Sequence, residues 1–137
     1  MIIYVDENMS NYLAKALNTL QQPLNKNEKE PIEVRLIKED FKEGCKDETW
    51  IPLVGNKKAC IITQDYNLKR ITHQLQLCKE HKLGMFYLRP PSKNGFNYWD
   101  MVLFVLKHWI EITKKAQKEE KPFGYRISSD GKFTNLY

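Results

Sequence analysis

The side chains best suited to chemistry in this 137-residue chain are carboxylates placed where a fold can gather them. Asp6 directly follows the apolar run Ile2–Val5, and Asp65 lies two residues beyond a similar run at residues 59–63. Asp47-Glu48 opens a helical pattern leading back into that second run. Sites of α/β sheets form outside the carboxyl ends of the strands. If the two strands lie close together, Asp6, Asp47 and Asp65 converge there, with Glu7 and Glu48 as supporting acids. Carboxylates so gathered repel one another unless a divalent cation lies among them. Oxygen donors suit Mg²⁺ or Mn²⁺, which can hold a phosphate and activate a water, so the expected chemistry is phosphodiester hydrolysis. Taken singly, each acid has a plainer reading: Asp47 and Asp65 as helix caps, Asp6 as a turn residue at a strand end.

Several neighbours suit supporting roles. Thr63, a strand-end hydroxyl near Asp65, can hold a water or a carboxylate, and suits a β-branched strand position equally well. Asn8 and Asn67 are amides beside the first and third aspartates. Arg89 directly follows a fourth strand at residues 85–88 and reaches the same edge, to grip a phosphate or to pair with an acid. Lys69, Arg70 and Lys93 add cations of the kind that make sequence-independent phosphate contacts. Lys57 and Lys58 precede their strand and fall at the opposite edge. His73, His81 and His108 have no partners at ligand spacing, and Cys78 with His81 is a lone C-x-x-H without a second zinc-finger pair.

These residues need elements to position them. Residues 2–5, 33–38, 59–63 and 85–88 read as strands. Met9, Tyr12, Leu13, Ala16, Leu17 and Leu20 mark one face of a helix that Asn8 or Ser10 can cap. Residues 21–31, with two prolines and no periodicity, read as a loop. A short helix starts at Asp47 and is limited by Pro52, another follows Asp65 through Leu68, Ile71 and Leu75, and a long one spans about Tyr98–Lys118. Tyr98, Trp99 and Trp109 read as core rather than as base-stacking platforms. Asp130-Gly131 is a two-residue turn signal, so residues 123–137 read as a hairpin. The result is a three-layer α/β/α domain with a mainly parallel sheet over residues 1–120, and a hairpin-like tail over 121–137 packed on it.

Composition narrows the classes. With 42% hydrophobic and 28% charged residues the chain is neither disordered nor fibrous. Its apolar run at residues 101–106 is far short of the ~20 residues of a membrane span. No basic leader precedes Met1-Ile2-Ile3, and three widely spaced cysteines, Cys45, Cys60 and Cys78, suit a reducing compartment, so a cytoplasmic protein without a membrane partner is expected. The net charge of +5 is uneven: residues 1–48 hold seven basic and ten acidic side chains, and the remainder fifteen and seven. An acidic front beside a basic remainder suits a polyanion held near a cation-loaded carboxylate site. No Gly-x-Ser-x-Gly elbow, Cys–His pairing or phosphate loop is present.

The motifs Met1-Ile-Ile-Tyr-Val-Asp-Glu-Asn8, Asp47-Glu-Thr-Trp-Ile-Pro-Leu53 and Ile61-Ile-Thr-Gln-Asp65 resemble, in order and spacing, those of PIN-like domain proteins, relatives of VapC-type toxin ribonucleases. The tail Lys121-Pro-Phe-Gly-Tyr-Arg-Ile127 resembles the ending of one branch of that group. The resemblance implies a metal-dependent endoribonuclease with Asp6, Asp47 and Asp65 binding Mg²⁺ or Mn²⁺ and RNA as substrate. It also implies a toxin neutralised by a small antitoxin protein; a homodimer is a further expectation. Many PIN domains carry another acid shortly after the third, where this chain has Tyr66-Asn67. That departure keeps a catalytically silent binding scaffold as an alternative. A receiver-like phosphoacceptor is a third reading, weakened because such domains use Lys where Arg89 stands.

Overall fold

Alternating β-branched runs and amphipathic stretches produce a layered α/β fold in the computed structural model, which describes residues 1–65, 67–92 and 94–137. The elements in chain order are β1 (Ile2–Val5), α1 (Asn11–Asn25), β2 (Glu33–Leu36), α2 (Ile37–Asp40), α3 (Asp47–Val54), β3 (Cys60–Gln64), α4 (Leu68–Glu80), β4 (Gly84–Leu88), α5 (Tyr98–Lys118), β5 (Phe123–Ile127) and β6 (Phe133–Asn135). A 3₁₀ turn at Gly55–Lys57 follows α3. Among the described residues the strands form one sheet in the order β2-β1-β3-β4-β5-β6. All neighbours are parallel except β5 and β6, which are antiparallel.

The central strands β1, β3 and β4 alternate their side chains between two cores, as strands covered on both faces must. On one side Ile3, Val5, Cys60, Ile62, Phe86 and Leu88 pack against Leu13 and Leu17 of α1 and Val105, Trp109 and Ile112 of α5. On the other, Tyr4, Ile61, Met85 and Tyr87 pack against Trp50, Ile51 and Val54 of α3 and Ile71 and Cys78 of α4. This is the α/β/α arrangement the alternating pattern predicts. Because β1 and β3 pair directly, with Val5 opposite Ile62, the residues that follow them emerge side by side.

The structure corrects several local expectations. Helix α1 runs through Pro23 to Asn25 instead of ending before residue 21. Tertiary bonds outweigh the proline there: buried Gln21 accepts from Trp109 Nε1 (2.9 Å) and donates to Asn25, and Asn25 fastens both backbone groups of Ile32. Strand β2 stops at Leu36 rather than residue 38, because Asp40 in the helical turn α2 binds Arg35 and the Tyr4 hydroxyl. Ser10, not Asn8, caps α1, and Asn67, not Asp65, caps α4. Tyr98 and Trp99 are exposed, since they lie off the α5 stripe that faces the sheet, while Trp109 is buried. The turn between β5 and β6 spans residues 128–132, with Gly131 at φ +83°, so it is longer than a two-residue Asp-Gly turn. β5 is itself a strand of the main sheet beside β4, and β6 forms the edge. Among the described residues no helix is long and apolar enough to cross a membrane.

Candidate functional site

The carboxyl ends of β1 and β3 carry the two aspartates that organise the site. Asp6 continues the ladder, its N–H donating to Ile62 C=O at 3.0 Å, and its side chain is only 2% exposed. Burying a carboxylate requires partners. Asp6 Oδ2 accepts from the buried Thr63 hydroxyl at 2.6 Å, and Oδ1 from the Glu7 N–H at 2.8 Å. Asp65 accepts from the Asn67 N–H at 2.9 Å, and its carbonyl accepts from the Tyr87 hydroxyl at 2.7 Å. Between the two aspartates stands Arg70, from the first turn of α4: Nη1 lies 2.9 Å from Asp65 Oδ2 and Nη2 3.2 Å from Asp6 Oδ2. Asn67 places Arg70 there, because its side chain caps the helix by accepting from the N–H groups of Lys69 and Arg70.

Asp47 comes from the third direction, as the first residue of α3. Trp50 Nε1 donates to one of its oxygens at 2.9 Å, and Gln74 Nε2 stands 3.5 Å from the other. Burial raises its pKa and the Trp50 bond opposes this. The charge of Asp6 raises it further, while that of Arg70 pulls it down. Asp47 is thus close enough to feel both the aspartate and the guanidinium. For Arg70, burial opposes the charged form, and the charge of Asp6, the bond to Asp65 and the charge of Asp47 overcome that and raise its pKa.

The remaining candidates divide by position. Asn8 donates to Gln64 C=O and its own carbonyl accepts from Gln64 Nε2, so it ties the loops after β1 and β3 together without touching a carboxylate. Glu7 turns away and accepts from the Gly44 N–H at 3.0 Å. Glu48 is exposed and meets His73 Nε2 of α4. Its pKa is held low by its own backbone N–H and by His73. Neither glutamate joins the cluster. Lys69 is exposed on the first turn of α4, and Arg89 is exposed directly after β4. Lys93 lies outside the described residues. Lys57 and Lys58 stand before β3, at the opposite edge.

Two features were not legible beforehand. Arg70, read as a surface cation, pairs with two acids, because α4 begins closer to the sheet edge than the spacing alone reveals. Arg126 of β5 joins Arg89, Leu68 and Tyr87 around a groove of about 350 Å³. Its Nε is buried without a hydrogen-bond partner among the described residues. The register that sets Arg126 opposite Tyr87 was the missing information.

Do these residues suit a divalent cation? Among the described residues, no three His, Cys, Asp or Glu side chains stand close enough together to hold a metal ion. The donor chemistry nevertheless fits. All three aspartates offer oxygen, and Asp47 is half-buried with hydrogen-bond donors that are neutral, which is the situation a cation relieves. In this arrangement the positive charge between Asp6 and Asp65 comes from Arg70.

A family model described as "PIN like domain" matches residues 1–90. The chain belongs to the PIN-like domain family. Comparison with curated proteins and with solved structures returns no match. In this PIN-like domain the matched span holds Asp6, Asp47, Asp65, Arg70 and Arg89, and leaves α5, β5 and Arg126 beyond it. Family membership points to a nuclease.

Proposed function

We propose that this PIN-like domain is an endoribonuclease that uses Mg²⁺ or Mn²⁺ to hydrolyse RNA phosphodiesters. The observation that carries the reading is the pairing of Asp6 and Asp65 through the Arg70 guanidinium at the carboxyl edge of the sheet, with Asp47 at the start of α3 within electrostatic reach of both Asp6 and Arg70. The three aspartates would hold the ion, which when bound polarises the phosphate and acidifies a water. The chain's own groups do the rest. Thr63 and the Glu7 N–H orient Asp6, and the reciprocal Asn8–Gln64 pair keeps the two aspartate loops in register. Arg89 and Arg126, beside Asp65 across Tyr87, bind backbone phosphates of the strand. Arg70 pairs with Asp6 and Asp65, and an ion held by the aspartates would take over that neutralising charge.

The test is cleavage of a single-stranded RNA by the full chain. Wild type in Mn²⁺ is expected to cut, EDTA to stop it, and Asp6→Asn to reduce it by at least a hundredfold. Cleavage that persists in EDTA, or is equal in Asp6→Asn, refutes the reading. A DNA strand of the same sequence in parallel decides between RNA and DNA.

A silent binding scaffold remains the second reading, favoured by one observation: Asn67, near the place of a further acid, serves as a helix cap. A saturable Mn²⁺ isotherm lost in Asp65→Asn counts against it. The proposed biological role is the toxin of a pair, working in the cytoplasm, in keeping with three free thiols. A small neighbouring protein that binds the chain and blocks cleavage is the antitoxin this role requires.

A further inference from the structure

Helix α5 carries two apolar stripes. One, through Met101, Val102, Val105, Trp109, Ile112 and Ala116, is buried against the sheet. The other follows the spacing 99, 103, 106, 110 and faces out, with Trp99 62%, Leu103 50%, Leu106 38% and Ile110 49% exposed. Steps of four, three and four residues are the repeat by which one helix packs along another, and the stripe runs about 16 Å. Isolated exposed apolar residues need no explanation, but a continuous row on one helix does.

We infer that this outer face of α5 is a self-association surface, on which a second copy of the chain packs its own α5 antiparallel about a two-fold axis between Leu103 and Leu106. The charges beside the stripe select this partner and this direction. Turned end for end about that axis, Trp99 meets Ile110 of the second copy and Leu103 meets its Leu106. Asp100 and Lys107, both exposed and both on the same flank of the stripe, then lie within about 3 Å of each other along the axis, one from each copy. Two-fold symmetry forms that acid–base pair twice. A parallel pairing sets Asp100 level with Asp100 and Lys107 level with Lys107, and forms neither. Closing the stripe on itself, with the stems of the flanking charged residues, hides roughly 1,000 Å² in total, the lower bound for a specific interface. The surface lies on the opposite face of the sheet from α3 and α4.

Sedimentation equilibrium of the full chain from micromolar to several hundred micromolar tests this. Wild type is expected to reversibly dimerise. Leu103→Glu, with an unchanged circular dichroism spectrum because the site is exposed, is expected to raise the dimer Kd at least tenfold. Asp100→Lys is expected to weaken association roughly fivefold, and Asp100→Lys with Lys107→Asp to restore it. Asp100 also accepts from Nδ2 of Asn97, the cap of α5, at 2.6 Å, and that contact is lost in both variants, so the restoration reads the intermolecular pair alone. A monomer throughout overturns the inference, whether or not that monomer binds a lipid vesicle or another protein. So does a dimer indifferent to Leu103→Glu, or a double variant no tighter than the single one. RNA cleavage plays no part in these readings, so this inference and the nuclease reading stand or fall separately.

Discussion

Asp47 is the residue at which stability and function pull apart. Its pKa is raised, chiefly by burial, so the fold favours its protonated form. The stability it contributes is present below its unfolded pKa and is lost as the pH rises through the folded value. At neutral pH, without a metal, the charge costs stability. Asp47→Asn, which can still accept from Trp50, is therefore expected to melt at a higher temperature than wild type in EDTA at pH 7, with the difference shrinking toward pH 4. A wild type at least as stable as the variant at pH 7 contradicts this. Arg70 shows the opposite sign. Removing it strips Asp6, almost fully buried, of its cationic partner, and leaves Thr63 and the Glu7 N–H to hold the charge. Arg70→Ala is expected to cost about 1–3 kcal/mol in EDTA. Mn²⁺ is expected to raise the variant's melting temperature more than that of wild type, because the ion no longer competes with a guanidinium. Equal shifts in the two proteins refute that competition.

At the scale of elements, the N-terminus of α4 does more than start a helix. Asn67 fixes Lys69 and Arg70 in the first turn while its N–H holds Asp65, so one residue couples helix capping to the geometry of the acids. Asn67→Ala is expected to cost about 1 kcal/mol, a drop of about 3 °C in melting temperature. Asn67→Asp, an equally good cap, is expected to keep wild-type stability, and loss of the same stability in both would show that the cap is not the cause. The periodicities that mark β1, β3, β4 and α5 were legible because buried faces impose them on the sequence. So was the convergence of Asp6 and Asp65, since both directly follow buried strands. The course of α1 through Pro23 was hidden, because Gln21 and Asn25 are held by α5 and the β2 approach, far away in sequence. The same is true of Arg126, whose place depends on which strand β5 joins. Glu7 and Glu48 look equivalent to their aspartate neighbours in sequence, and only the loop at Gly44 and the surface of α4 decide that they turn away.

Taken as a whole, the molecule distributes its features over the two faces and one edge of a single sheet. The acids and Arg70 occupy the carboxyl edge, Arg89 and Arg126 extend it with positive charge, and the outer stripe of α5 lies on the face away from α3 and α4. The uneven charge along the chain follows from this: the acidic first third supplies Asp6 and Asp47, while Arg70, Arg89 and Arg126 come from the basic remainder. The central claim is that Asp6, Asp47 and Asp65 make one divalent-cation site. Calorimetric titration of the full chain with Mn²⁺ tests it most directly. The account predicts one saturable site in wild type, with affinity reduced at least tenfold in each of Asp6→Asn, Asp47→Asn and Asp65→Asn. No saturable binding in wild type, or binding that survives all three substitutions, would contradict it.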